Sequence, residues 1–164
     1  DPGIRRGEDW ELNLRIRRAG GTVWFAPDLQ VTYWPRASLG DLARQFFATG
    51  AWRAVLVRRH PRETPWRFFV PGALVIGLTL SLLIALLQAG GVLPLPWWSL
   101  AHLTPAAYTA AVVFATPRLP GLRGLRERLL GTAALVTMHL SWGAGFLVGA
   151  CGGAARTVDR SRAR

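Results

Sequence analysis

Two stretches without a single charged side chain govern what this chain can become. Residues 68–117 contain no Asp, Glu, Lys or Arg, and neither do residues 129–155. Crossing a bilayer takes about 20 predominantly apolar residues. The first block has room for two crossings and a turn, the second for one. A first span is predicted at about 68–87, over "FFVPGALVIGLTLSLLIALL". The following "QAGGVLPLPWWS" breaks the helix with Gly-Gly and two prolines, and Trp97 and Trp98 suit a membrane interface. A second span, about 100–116, is shorter and diluted by His102, Thr104, Pro105 and Tyr108. A third, about 129–150, is rich in small residues ("GAGFLVGACGG"), which permit close helix packing. The competing reading, buried helices of a soluble protein, fits charge-free runs of this length poorly.

The charges collect around these blocks. The chain carries 20 Arg, no Lys and 9 acids, a net charge of +11, although half of it is apolar. A soluble nucleic-acid binder would be basic and polar. Basic and apolar together point to a membrane protein with basic flanks, and no nucleic-acid partner is expected. Residues 1–67 hold 12 Arg and 7 acids, residues 116–128 hold 4 Arg and 1 acid, and the tail 156–164 holds 4 Arg and 1 acid. Basic flanks favour the cytoplasmic side, so the front segment is expected there. Three spans would leave the basic tail outside, against that rule. Either the tail tolerates translocation or one of the weaker spans lies in the interface.

Cys151 is the only cysteine, which excludes an internal disulfide and a thiolate metal cluster. The chain opens on Asp1, without the features of a signal peptide, which suggests the C-terminal piece of a longer protein. No phosphate-cradling glycine loop, zinc-ligand spacing or Ser/His/Asp arrangement is present. The three histidines, His60, His102 and His139, stand far apart. In or near a span, a single His more often bonds a neighbouring helix than catalyses.

The front segment reads as part of an α/β domain. Residues 9–19 predict a helix with Leu12, Ile16 and Ala19 on one face, ended by a left-handed cap at Gly20-Gly21. "TVWFAP" and "QVTYW" predict two short strands joined by a turn at Pro27-Asp28. Ser38 suits a helix cap, with Asp41 at capping-box spacing. The helix that follows, about 39–59, sets Leu42, Phe46, Phe47, Ala51, Ala54 and Val55 among Arg44, Arg53, Arg58 and Arg59. Such a helix suits the inner membrane surface, or equally a place packed on its own domain. The domains implied are a cytoplasmic segment 1–67, a membrane part 68–155 and a basic tail 156–164.

"GEDWELNLRIRRAGG" (Gly7 to Gly21) puts Glu8, Asp9 and Glu11 in the first turn of the first helix. Acids there complement the helix dipole, each contributing roughly 0.3–1 kcal/mol, and need no further role on that account. Their context adds one. The order "GEDWELNLRIRRAGG", "VWFAPDLQVTYWPRASL", "LARQFFATGAWRAVLVRRHP", then apolar spans and "MHLSWGAGFLVG", resembles membrane-bound family 2 glycosyltransferases, in particular the succinoglycan biosynthesis subgroup.

The resemblance implies an inverting enzyme and a fold with two parts: an α/β fragment, the C-terminal part of a GT-A domain, followed by a helical membrane domain of about three spans. It implies Asp9 as general base, taking the proton of an acceptor hydroxyl that attacks a nucleotide-sugar, with Glu8 positioning the acceptor or nearby backbone. Glu11 would be structural. Processive relatives carry a Gln-x-x-Arg-Trp signature that holds acceptor and diphosphate. This chain has Gln45, Trp52 and Arg53 in another spacing and order, so these are counterparts by type, and addition of a single sugar is expected. The implied partners are a nucleotide-sugar donor, a lipid-linked or saccharide acceptor and membrane lipid, in a bacterial inner membrane. A divalent cation, Mg or Mn, is implied too. Its Asp-x-Asp ligands belong to an N-terminal half that this sequence does not contain, and the isolated chain is expected to be inactive. The competing function is a non-catalytic membrane module whose basic cytoplasmic face binds anionic lipid or a partner enzyme.

Overall fold

The computed structural model describes residues 4–94 and 96–157. The basic tail expected at 156–164 lies outside them from residue 158 onward. Five α-helices carry the described fold: α1 (Glu8–Arg18), α2 (Leu39–Arg59), α3 (Val70–Ala89), α4 (Leu103–Ala115) and α5 (Leu125–Ala150).

The expected α/β fragment does not form, because no strand exists among the described residues. The turn at Pro27-Asp28 is present, with the Leu29 N–H donating to the Ala26 carbonyl at 3.2 Å. Its two arms never pair, and Trp24 and Trp34 stand 85% and 81% exposed. An isolated two-stranded ribbon is marginal in water, and these arms have no third strand or helix face to pack on.

Helix α1 ends as its glycines predict. Gly20 adopts φ +80°, and the Gly20 and Gly21 N–H groups donate back to the Arg17 and Ile16 carbonyls at 3.1 and 2.9 Å. Its other end depends on Gly7, at φ +78°, where an added Cβ would lie 2.6 Å from Leu56 of α2. Ser38 caps α2, its Oγ accepting from the Asp41 N–H at 3.1 Å.

Helix α5 organises the rest through its small residues. Added Cβ atoms at Gly145 and Gly149 would fall on the Phe47 and Ala51 carbonyls of α2, and one at Gly50 on the Trp142 carbonyl. The two helices therefore touch backbone to backbone, in parallel order. Arg58 Nη1 donates to the Ala150 carbonyl at 2.7 Å, and Ala154 packs on Ala51 and Trp52, so the ends of α2 and α5 lie together. On another side of α5, Gly143 sits against Pro71, and Phe146 against Phe69 and Gly72 at the start of α3.

A helical run of 3₁₀ turn, α4 and 3₁₀ turn, from Trp97 to Arg118, folds back beside α3. Gln88 Nε2 donates to Ser99 Oγ at 3.4 Å. His102 joins Ser81 Oγ at 2.7 Å and Gln88 Oε1 at 3.0 Å. Tyr108 Oη meets His139 Nδ1 at 3.2 Å, and Thr116 Oγ1 meets Thr132 Oγ1 at 3.0 Å. These polar pairs stitch the apolar helices together.

Among the described residues two helices, not three, are long and apolar enough to cross a membrane: Val70–Ala89 and Leu125–Ala150, with mean hydropathies of 2.4 and 1.4. The predicted middle span falls short. Its α-helical part has 13 residues, roughly 20 Å against a hydrocarbon core of about 30 Å. Its end meets Thr132, about 27 Å of helix from Ala150.

Candidate functional site

The first turn of α1 sorts its three acids. Glu11 is 4% exposed and is held by Arg15, whose Nε donates to Glu11 Oε2 at 3.0 Å. It is a structural acid. Glu8 and Asp9 are exposed at the helix tip. At the other end of α1, Arg18 pairs with Glu63, which ties the helix to the short 3₁₀ turn Pro61–Glu63 ahead of α3. That hydrogen bond holds the Glu63 carboxyl below the usual carboxylate range, while desolvation opposes it.

Between these ties lies an aromatic cluster. The Trp10 ring stands edge-on to His60 and to Phe68, each at 6.0 Å between centroids. The Arg53 guanidinium lies over both Trp10 and Phe68, 4.4 Å from the Phe68 centroid and 5.9 Å from that of Trp10. Arg67 reaches Phe68 as well, at 5.7 Å. Burial in this cluster lowers the Arg53 pKa, the nearby Asp9 carboxylate raises it, and Arg67 lowers it again. Nε and Nη1 of Arg53 are shut off from solvent without a hydrogen-bond partner, as is Nδ1 of His60. Unpaired buried donors are uncommon, because each forfeits its hydration without recompense.

The structure thus brings Asp9 and Arg53 together, with Glu8 at the same helix tip. It does not bring Gln45 or Trp52 to them. Gln45 lies two turns earlier on α2, where its Oε1 accepts from Arg36 Nε at 2.8 Å. Trp52 is buried in the core with Ala51 and Ala154, at the contact between α2 and the C-terminal turn. The aromatic partner of Arg53 is Trp10, which the sequence hides in plain view beside the acid pair. Phe68 is equally hidden, as the first residue of a predicted span. Among the described residues no three of His, Cys, Asp and Glu converge as metal ligands.

No family model matches the chain. No solved structure matches it. Among curated proteins it is 32% identical, over 146 residues, to the succinoglycan biosynthesis protein ExoA of Rhizobium meliloti (strain 1021). This chain is a homologue of ExoA. The resemblance to the succinoglycan biosynthesis subgroup is borne out at the level of that relative. The match takes in 89% of this chain but 41% of ExoA, so the chain spans less than half of its relative's length.

Proposed function

We propose that this chain is part of a membrane-bound family 2 glycosyltransferase. It would transfer a sugar, with inversion, from a nucleotide-sugar to a lipid-linked or polysaccharide acceptor in exopolysaccharide synthesis. The homology to a succinoglycan biosynthesis protein supports the class. The observation that carries the site is the exposed Asp9 carboxylate beside the enclosed Arg53 guanidinium, next to the entry of a membrane-crossing helix.

The chemistry needs those two charges. Asp9 accepts the proton of the acceptor hydroxyl as that oxygen attacks the anomeric carbon. The bond from that carbon to the diphosphate oxygen breaks, and the nucleoside diphosphate leaves with the electron pair. A guanidinium with unspent donors offsets the charge that develops on it. Glu8, at the same tip, orients the acceptor.

Two crossings, by α3 and α5, put the front segment and the C-terminal end on one face. That face then holds the 12 Arg of residues 1–67, against 4 in residues 116–128. The positive-inside preference makes it the cytoplasmic face, in a bacterial inner membrane, where nucleotide-sugars are found.

The test is sugar transfer to membrane lipid by the full-length protein and its Asp9→Asn form, at matched expression. Loss of a general base lowers the rate by about 10²–10⁴-fold. Transfer at the unaltered rate would remove Asp9 from the role.

A further inference from the structure

We propose that Trp10 and Phe68 are positioning residues, whose rings clamp the Arg53 guanidinium beside Asp9 and hold it ready for an anionic group of the substrate. The inference rests on the glycosyltransferase reading for the identity of that substrate, but the clamp itself stands on geometry. Three separate elements converge on one side chain. Trp10 comes from the first turn of α1, Arg53 from the C-terminal half of α2, and Phe68 from the 3₁₀ turn Trp66–Phe68 ahead of α3. Phe68 is 7% exposed, which fixes its ring as a floor at 4.4 Å from the guanidinium carbon.

A planar cation over an aromatic face gains electrostatic attraction without using any N–H donor. This offsets only part of the cost of the state of Arg53. Its Nε and Nη1 have given up water and have received no acceptor in exchange. Had the fold required Arg53 only for stability, a carboxylate or carbonyl partner would have served it better. Stacked rings instead confine the guanidinium and leave its hydrogen-bonding capacity unspent. Arg67 over the same Phe68 ring adds a second positive charge, which favours an anion over a neutral ligand.

The same cluster sets where the site lies. Phe68 stands two residues before α3 begins at Val70, so the clamp fastens the acid tip of α1 to the foot of a membrane-crossing helix. An acceptor anchored in lipid would reach Asp9 without leaving the interface.

The experiment uses the full chain in lipid nanodiscs, with inorganic pyrophosphate as the probe. The Arg53 Nε–H resonance, assigned by its loss in Arg53→Lys, reports both ring stacking and anion binding. The wild type is expected to show a ring-current-shifted signal that moves on titration. Phe68→Leu should weaken pyrophosphate binding roughly three- to tenfold, and Phe68→Tyr should restore it to within about twofold. Trp10→Leu removes the other ring without touching the entry to α3, and should weaken binding in the same way. In the Arg53→Lys background Phe68→Leu should cost nothing further, because the ring acts only through the guanidinium. No pyrophosphate response in the wild type overturns the proposal. So does unchanged binding in both Leu variants, or a Phe68→Leu loss that simply adds to that of Arg53→Lys. A failure to transfer sugar with the clamp signals intact would defeat the glycosyltransferase reading and leave the clamp standing.

Discussion

The Arg53 guanidinium carbon lies 4.4 Å from the centroid of the Phe68 ring, a cation held by an aromatic face rather than by a carboxylate. Two opposed effects on stability follow. Stacking on partly desolvated rings contributes about 0.5–2 kcal/mol. Leaving two buried donors unpaired costs about 1–3 kcal/mol each. The penalty outweighs the stacking. Arg53→Met, which keeps the bulk and removes the charge, is therefore expected to leave thermal stability in nanodiscs unchanged or higher, while abolishing anion binding. A destabilisation of more than about 1 kcal/mol would show that Arg53 serves the fold and not a ligand.

Backbone contact between α2 and α5 gives a sharper stability prediction. No side chain fits at Gly145 or Gly149, where a Cβ would coincide with a carbonyl of α2. Gly145→Ala or Gly149→Ala must push the helices apart, at roughly 1–3 kcal/mol each. Gly124→Ala is the control, since its Cβ meets nothing within 4 Å and its φ is −101°. Chemical unfolding in detergent should separate the first two variants from the third. Equal midpoints for all three would mean that the helices do not meet at these glycines.

Much of this is legible in the sequence, for physical reasons that differ by element. The α1 terminus and the α2 cap are local events, written in Gly20-Gly21 and in Ser38 with Asp41, and both occur. The apolar runs of α3 and α5 announce themselves by length alone. The expected strands fail because pairing is not local. "TVWFAP" and "QVTYW" have strand composition, but composition supplies no partner edge. The middle span fails because apolar content does not guarantee α-helical length once 3₁₀ turns take both of its ends. The clamp cannot be read from sequence at all. Trp10, Arg53 and Phe68 are distant along the chain, and only the packing of three elements joins them.

The tie between Arg18 and Glu63 makes a prediction about acid. The Arg18 hydrogen bond holds the Glu63 pKa below its ordinary 4.5. A carboxylate with a lowered folded pKa contributes its stability fully above the unfolded value. That contribution is lost as pH falls through the folded one. The pair is exposed, so its effect is small. Unfolding curves of wild type and Glu63→Gln should differ slightly at neutral pH and converge as the pH falls from the ordinary 4.5 through the lowered folded value. A gap that persists at the acid end would assign the difference to something other than the ion pair.

Cys151 turns the proposed two-crossing arrangement into a measurement. It is exposed just past the end of α5, and it is the only thiol in the chain. The contacts of Arg58 with Ala150 and of Ala154 with Trp52 put that end of α5 beside the front segment. If the front segment is cytoplasmic, a membrane-impermeant maleimide should leave Cys151 unlabelled in intact spheroplasts and label it after lysis. The reverse should hold for Arg123→Cys in a Cys151→Ala background, because residues 119–124 join the far end of α4 to the start of α5. Labelling of Cys151 in unbroken spheroplasts would place the C-terminal end outside. An additional crossing would then be needed between α3 and α5.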